Sequence, residues 1–247
     1  VGCPIGCPFC ATGRSGFRRN LSPGEIVAQV LHFARELKAD FPRKDAHPIT
    51  NVVIMGMGEP FLNYEATLQA IATLNDHRGF KLGARHFTIS TVGIVPGIKK
   101  LAKEGLQVEL AVSLHAPNDE LRNILVPVNL GYPLKRLMLA CQDYIAQTNR
   151  RITFEYVLLD GVNDEPEHAR QLAELLKGML CHVNLIAMNP VHGSPYRPPP
   201  RKRVLAFEKA LKRLGISVTL RAGKGVDIQA GCGQLRIRSL KKREPQP

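Results

Sequence analysis

A chain of 247 residues, 44% hydrophobic and 22% charged, can bury a sizeable core and matches one globular domain better than two. No apolar run reaches the roughly 18 residues of a membrane span, and no basic segment leads into an apolar stretch at the start; a soluble, cytoplasmic chain with no membrane partner is expected. The net charge of +13 favours a polyanion, nucleic acid first, and with no Trp and 6% aromatic residues the composition suits backbone and shape recognition of structured RNA better than broad base stacking.

The chain starts at Val1 rather than Met, two residues before a cysteine motif, which predicts that sequence upstream is missing. Cys3, Cys7 and Cys10 stand close together in a chain too large to need disulfide staples, so they read as metal ligands. Ser22, Pro23 and Glu25 form a capping box with Pro at the first helical position and open a helix over 23–38. A strand at 50–55 runs into GMGEP and a helix at 64–77, and a strand at 86–90 ends on Ser90 before a helix at 96–104. The strand at 108–113 ends on Ser113 and leads into His115, and a helix at 133–148 carries Cys141 on its amphipathic period. After a strand at 152–158, Asp164 ahead of Glu165 and Pro166 predicts the cap of a helix at 165–178. Cys181 opens a strand at 182–188 that closes on Asn189, followed by a helix at 200–214 and a last strand at 216–221. Cys141 and Cys181 read as core cysteines.

Near-continuous apolar runs such as VVIM, LAV and VNLIAM mark strands buried on both faces, and their alternation with helices predicts an α/β fold with a parallel sheet, a closed or partly closed β/α barrel. The Gly, Pro and Asn signals fall just after the strands, at the end where such barrels carry their sites.

The spacing C-x-x-x-C-x-x-C lets one loop present three thiolates to a common centre. A [4Fe-4S] cluster held by only three local cysteines leaves one iron open to the amine and carboxylate of a methionine group, the arrangement used with S-adenosylmethionine. A zinc site completed by a fourth Cys or a His is the alternative. In GMGEP, two glycines permit close backbone approach and Glu59 can accept a hydrogen bond from an ammonium group. Ser90, Ser113, His115 and Asn189 follow different strands and so could share one pocket, although each alone would be a turn residue. Cys232, between Gly231 and Gly233, reads as an exposed thiol, with an incidental cysteine as the alternative.

With these motifs in view the sequence resembles the RlmN family of dual-specificity 23S rRNA and tRNA adenine C2-methyltransferases, through VGCPIGCPFCATG, VVIMGMGEPFLNY, SLHAPNDELRNILVPVN, HVNLIAMNPVHGSPY and VDIQAGCGQL among others. The related Cfr-type enzymes methylate C8 of the same adenine, and SLHAPND, LVPVN and MNPVHGSPY look more like the C2 branch. The resemblance implies a partial TIM-like barrel of the radical SAM type, with the first strand and an N-terminal accessory domain missing here. It makes Cys3, Cys7 and Cys10 the ligands of a [4Fe-4S] cluster, and Gly58, Glu59, Ser90, Ser113, Leu114, His115 and Asn189 the S-adenosylmethionine contacts. It makes Cys232 the catalytic cysteine that is itself methylated, resolved in family members by a second cysteine upstream of the cluster motif, and it implies a disulfide bond. It also implies 23S rRNA and tRNA as partners, an electron donor such as flavodoxin and a monomer. Residues 1–235 are then the barrel with its catalytic-cysteine loop, and 236–247 a basic, disordered tail. A zinc-binding nucleic-acid module, a radical enzyme for a small molecule and a non-catalytic RNA-binding fragment are the competing classes.

Overall fold

The computed structural model describes residues 1–40, 49–191 and 193–221; Cys232 and the basic tail lie outside the described residues. Six strands, β1 (Val52–Ile54), β2 (Phe87–Thr91), β3 (Glu109–Ser113), β4 (Ile152–Leu158), β5 (Cys181–Ala187) and β6 (Val218–Arg221), form one sheet in sequence order, every neighbouring pair parallel. Parallel crossovers share one hand, so a strand order that never reverses puts every connecting helix on the same face. The opposite face is left concave, which makes the sheet a partial β/α barrel and not a doubly wound sheet.

The helices are α1 (Ala11–Arg14), α2 (Pro23–Asp40), α3 (Tyr64–Asn75), α4 (Val95–Leu101), α5 (Asp119–Leu125), α6 (Leu134–Thr148), α7 (Pro166–Leu176) and α8 (Arg201–Arg213). Among the described residues none is long and apolar enough to cross a membrane. The capping box of α2 forms as read: the Glu25 carboxylate accepts from the Ser22 N–H at 2.9 Å and the Ser22 Oγ from the Glu25 N–H at 3.3 Å. The cap of α7 is Glu165, not Asp164, in a reciprocal bond with His168. Asp164 is already committed: its Oδ1 accepts from the Gly161 N–H at 2.9 Å and from Arg203 of α8 at 2.9 Å. The sequence reading also passes over α5, which Asn118 caps by accepting from the Leu121 N–H at 2.9 Å.

Strand alternation divides the side chains between the two faces. On β4, Phe154, Tyr156 and Leu158 point into the helical layer, where Tyr156 stacks on Phe207 of α8 with ring centroids 5.5 Å apart. The helices meet them with apolar stripes, such as Ala169, Leu172, Ala173 and Leu176 of α7 and Leu134, Leu137, Met138 and Cys141 of α6. Burying one such Leu stabilises by about 2 kcal/mol. Cys141 is thus a core residue, and Cys181 opens β5 at the end of the sheet away from the strand C-termini. The inward face is polar: Ser90, Ser113, Glu155 and Asn184 lie along it, with Ser113 in register with Glu155 and Glu155 with Asn184. A barrel filled only by Val, Ile and Leu would have no room for a ligand.

Candidate active site on the strand C-terminal rim

The cysteine loop is pinned across its base. Gly2 bridges Phe17 in an antiparallel pair, the Cys3 N–H donates to the Gly16 carbonyl at 3.0 Å, and the Arg18 N–H to that of Val1 at 2.9 Å. Gly2 has φ +82°, and a Cβ there would meet the Gly16 oxygen at 2.0 Å, so only glycine fits. Between these ties the chain turns through Cys7 and Cys10, whose backbones bond at 3.0 Å, and enters α1 directly after Cys10.

This loop sits on the rim of the barrel. Cys7, buried, packs with Ala116, Leu125, Val126, Leu159 and Met188, of which Ala116, Leu159 and Met188 closely follow the ends of β3, β4 and β5. Phe9 meets the His115 ring edge-on at 5.1 Å. On the β1 side, Gly58 at φ +135° lies so near the loop that a Cβ would come 3.2 Å from the Gly2 oxygen. GMGEP and the cysteine motif, distant in sequence, are therefore neighbours.

Burial and neighbouring charge act on the Cys7 and Cys3 thiols. Burial pushes the Cys7 thiol up to about 12, the charges of Cys10 and Cys3 push the same way, and Arg122 opposes them. Burial likewise raises Cys3, with help from Cys10 and Glu59. Such thiols keep their protons until a cation replaces them. An iron–sulfur cluster fits this donor set: three sulfurs from one loop, an apolar wall behind Cys7, and Cys3 and Cys10 half-buried at the rim. A zinc site needs four convergent donors. The five described cysteines are all free of disulfides.

Glu59 is 6% exposed, with Oε1 accepting from the Phe61 N–H at 3.0 Å and Oε2 from the Val92 N–H at 2.8 Å. It fastens the loop after β1 to the end of β2. Burial pushes its carboxyl up to about 7 against the pull of these backbone donors. Ser90 and Ser113 stand with their hydroxyls 3.4 Å apart. Leu114 is fully buried, its N–H on the Glu155 carbonyl and its carbonyl on Arg122, which leaves its backbone occupied within the fold. His115 has φ +60° and its Nδ1 accepts from the Val157 N–H at 3.1 Å. Burial, then the charge of Arg122, pushes its imidazole down to about 3, so it is neutral. Asn189, half-buried, lies two residues beyond β5.

Three residues that sequence reasoning did not single out complete this rim. Arg122 is fully buried under the ends of β2 and β3. Asn163 ties the loop after β3 to that after β4 by donating to the His115 and Val157 carbonyls at 2.8 and 2.7 Å and accepting from the Leu159 N–H at 2.7 Å. Glu155 is 4% exposed on the concave face, Oε1 accepting from Asn184 at 2.9 Å, while Oε2 has no hydrogen-bond donor among the described residues and pairs with the Arg221 guanidinium at 3.8 Å. Of the three, only Glu155 carries a signal in sequence: it occupies an inward position of ITFEYVL, among the apolar residues that face the helices.

Residues 1–176 match the model of the radical SAM superfamily. A protein of Pelotomaculum thermopropionicum described as a probable dual-specificity RNA methyltransferase RlmN is 55% identical over 237 residues, covering 96% of this chain and 62% of that protein. One of Roseiflexus castenholzii with the same description is 48% identical over 274 residues, covering 95% of this chain and 69% of its own length. The crystal structure of a radical SAM methyltransferase from Sphaerobacter thermophilus superimposes with a TM-score of 0.91 at 53% identity, over 95% of this chain and 67% of that one. Sequence, fold and a three-cysteine loop on the strand C-terminal rim agree, and the chain belongs to the radical SAM superfamily and, within it, to the RlmN family.

Proposed function

We propose that this chain is the catalytic barrel of a radical SAM RNA methyltransferase that adds a methyl group to C2 of an adenine in 23S rRNA and in tRNA. The observation that carries the reading is the seating of Cys3, Cys7 and Cys10 on the rim, with GMGEP against Gly2 and a polar concave face beneath. Its relatives bear the name of dual-specificity RNA methyltransferases. A [4Fe-4S] cluster, when bound, supplies the electron that cleaves S-adenosylmethionine.

The chain's own residues then have these roles. Cys3, Cys7 and Cys10 give up their protons and hold the cluster. Glu59 fixes the Gly58 backbone beside the cysteine loop and has lone pairs left for an ammonium donor, since each oxygen accepts one backbone N–H. The paired hydroxyls of Ser90 and Ser113, with Asn189 across the rim, offer donors and acceptors to a nucleoside. His115, neutral and held by Val157 and Asn163, presents its ring beside Phe9 as a wall; Leu114 holds the strand end in place. Cys232 is assigned the methyl-carrying role because adenine C2, between two ring nitrogens, is too electron-poor to displace a sulfonium methyl, whereas a thiolate does so readily.

The net charge of +13 and the exposed Arg201, Lys202, Lys209 and Arg213 of α8 suit an RNA backbone. A low-potential donor of the flavodoxin type, a monomeric state and a cytoplasmic setting complete the proposal. The test is transfer of a labelled methyl group from S-adenosylmethionine to ribosomal RNA and tRNA, with nucleosides separated by mass spectrometry. 2-Methyladenosine is expected; 8-methyladenosine, or label in no RNA, contradicts the assignment.

A further inference from the structure

Among the described residues Arg122 is the one guanidinium with no solvent exposure, at 0%. A buried cation costs stability unless an anion accompanies it. Its hydrogen-bond partners are all neutral: Nε donates to the Leu114 carbonyl at 3.1 Å, Nη1 to the Asn129 Oδ1 at 2.7 Å, and Nη2 to the Val92 and Ser113 carbonyls at 2.6 and 3.3 Å. Asp119 is hydrogen-bonded not to it but to Asn129, whose Nδ2 donates to the Asp119 Oδ1 at 2.8 Å, and acts on Arg122 through its charge. The elements that enclose Arg122 also pack against the cysteine loop: Val92, whose carbonyl accepts from Nη2, belongs to the apolar group around Cys7. Cys7 packs on Leu125 and Val126, the turn closed by the Val126 N–H on the Arg122 carbonyl at 2.7 Å. The charge of Arg122 acts on the Cys7 thiol and that of Cys7 on Arg122.

Three thiolates make a cluster assembly anionic, and one-electron reduction adds a further negative charge. A fixed positive charge in a dry setting beside one of those thiolates favours the more negative state. We propose that Arg122 sets the reduction potential of the cluster carried on Cys3, Cys7 and Cys10, its buried charge raising that potential, with Asp119 pulling in the opposite sense. Arg122 is a positioning residue, not a catalytic one: its charge acts on the cluster from the strand-end loops against which Cys7 packs. The electron comes from a one-electron donor protein, or from dithionite in the test, and no proton is transferred. This inference rests on the cluster reading of the three cysteines.

The experiment is a dithionite titration of the anaerobically reconstituted chain, followed by electron paramagnetic resonance. Arg122→Gln is expected to shift the reduced-to-oxidised ratio at fixed poise at least tenfold toward oxidised, 59 mV for one electron. Arg122→Lys keeps the charge but not the planar fork, and stays within threefold of the wild type. Asp119→Asn, which retains an oxygen for the Leu134 N–H and Asn129, shifts the ratio toward reduced. Equal shifts in the Lys and Gln variants would show a structural role and overturn the proposal, as would a folded Gln variant that titrates with the wild type. Should the Gln variant not fold, Asp119→Asn decides, and no shift toward reduced sinks the idea. A wild-type chain with no cluster signal fails at the earlier step, the cluster reading itself.

Discussion

Asn163 is the staple of the rim, and its removal should be costly. Replacing it with Ala strips the Leu159 N–H of its acceptor and two carbonyls, those of His115 and Val157, of their donor. The orphaned N–H alone costs about 1–3 kcal/mol, and each lost carbonyl bond about 1 kcal/mol. The sum, about 3–5 kcal/mol, lowers the melting temperature of a chain this size by roughly 10 °C. Asn163→Asp separates hydrogen-bond polarity from shape. The carboxylate still accepts from Leu159 but opposes two carbonyl oxygens, and protonation restores only one of two donors, so Asp should be at least as destabilised as Ala. Thermal unfolding followed by circular dichroism reads both. An Asp variant within about 1 kcal/mol of the wild type would refute the reasoning, because shape would then suffice.

Gly2→Ala places a methyl group 2.0 Å from the Gly16 oxygen at a φ of +82°, so the base of the cysteine loop must open. Iron retained after reconstitution should fall several-fold, and wild-type iron content would show that the base tolerates a side chain. His115 gives a pH dependence. Its folded value of about 3 lies below the ordinary 6.5, so the unfolded chain binds a proton that the folded chain refuses between those limits. Its contribution is complete above 6.5 and is lost progressively as the pH falls. His115→Asn, which tolerates positive φ, should lose less of its urea midpoint than the wild type between about pH 7 and pH 5; equal losses would contradict the assignment of a buried neutral ring.

The barrel was legible because its strands are short β-branched runs between helical stretches, and because Ser22, Pro23 and Glu25 act through a capping box that is local in sequence. The cap of α7 came out one residue late in the chain, at Glu165, because Asp164 is drawn to Arg203 of α8, a partner thirty-nine residues away that local pattern does not reveal. α5 was missed because seven residues show barely two turns of period. At the site, Cys3, Cys7, Cys10 and GMGEP announce themselves by spacing and by glycine. Arg122 does not: in DELRNIL a charged residue reads as a solvated face, and only the carbonyls of Val92, Ser113 and Leu114, gathered by the fold, make a buried guanidinium tenable. Glu155 shows in sequence only as a charge at an inward position of ITFEYVL, and its partner Asn184 meets it across the β4–β5 pairing, which local pattern does not reveal.

Metal analysis of the anaerobically purified and reconstituted chain tests the central claim most directly. A [4Fe-4S] cluster should be found in the wild type, paramagnetic on reduction, with a signal that changes when S-adenosylmethionine is added. Cys3→Ala, Cys7→Ala and Cys10→Ala should each abolish it. Stoichiometric zinc with no iron, or a cluster that survives replacement of these cysteines, would contradict the account.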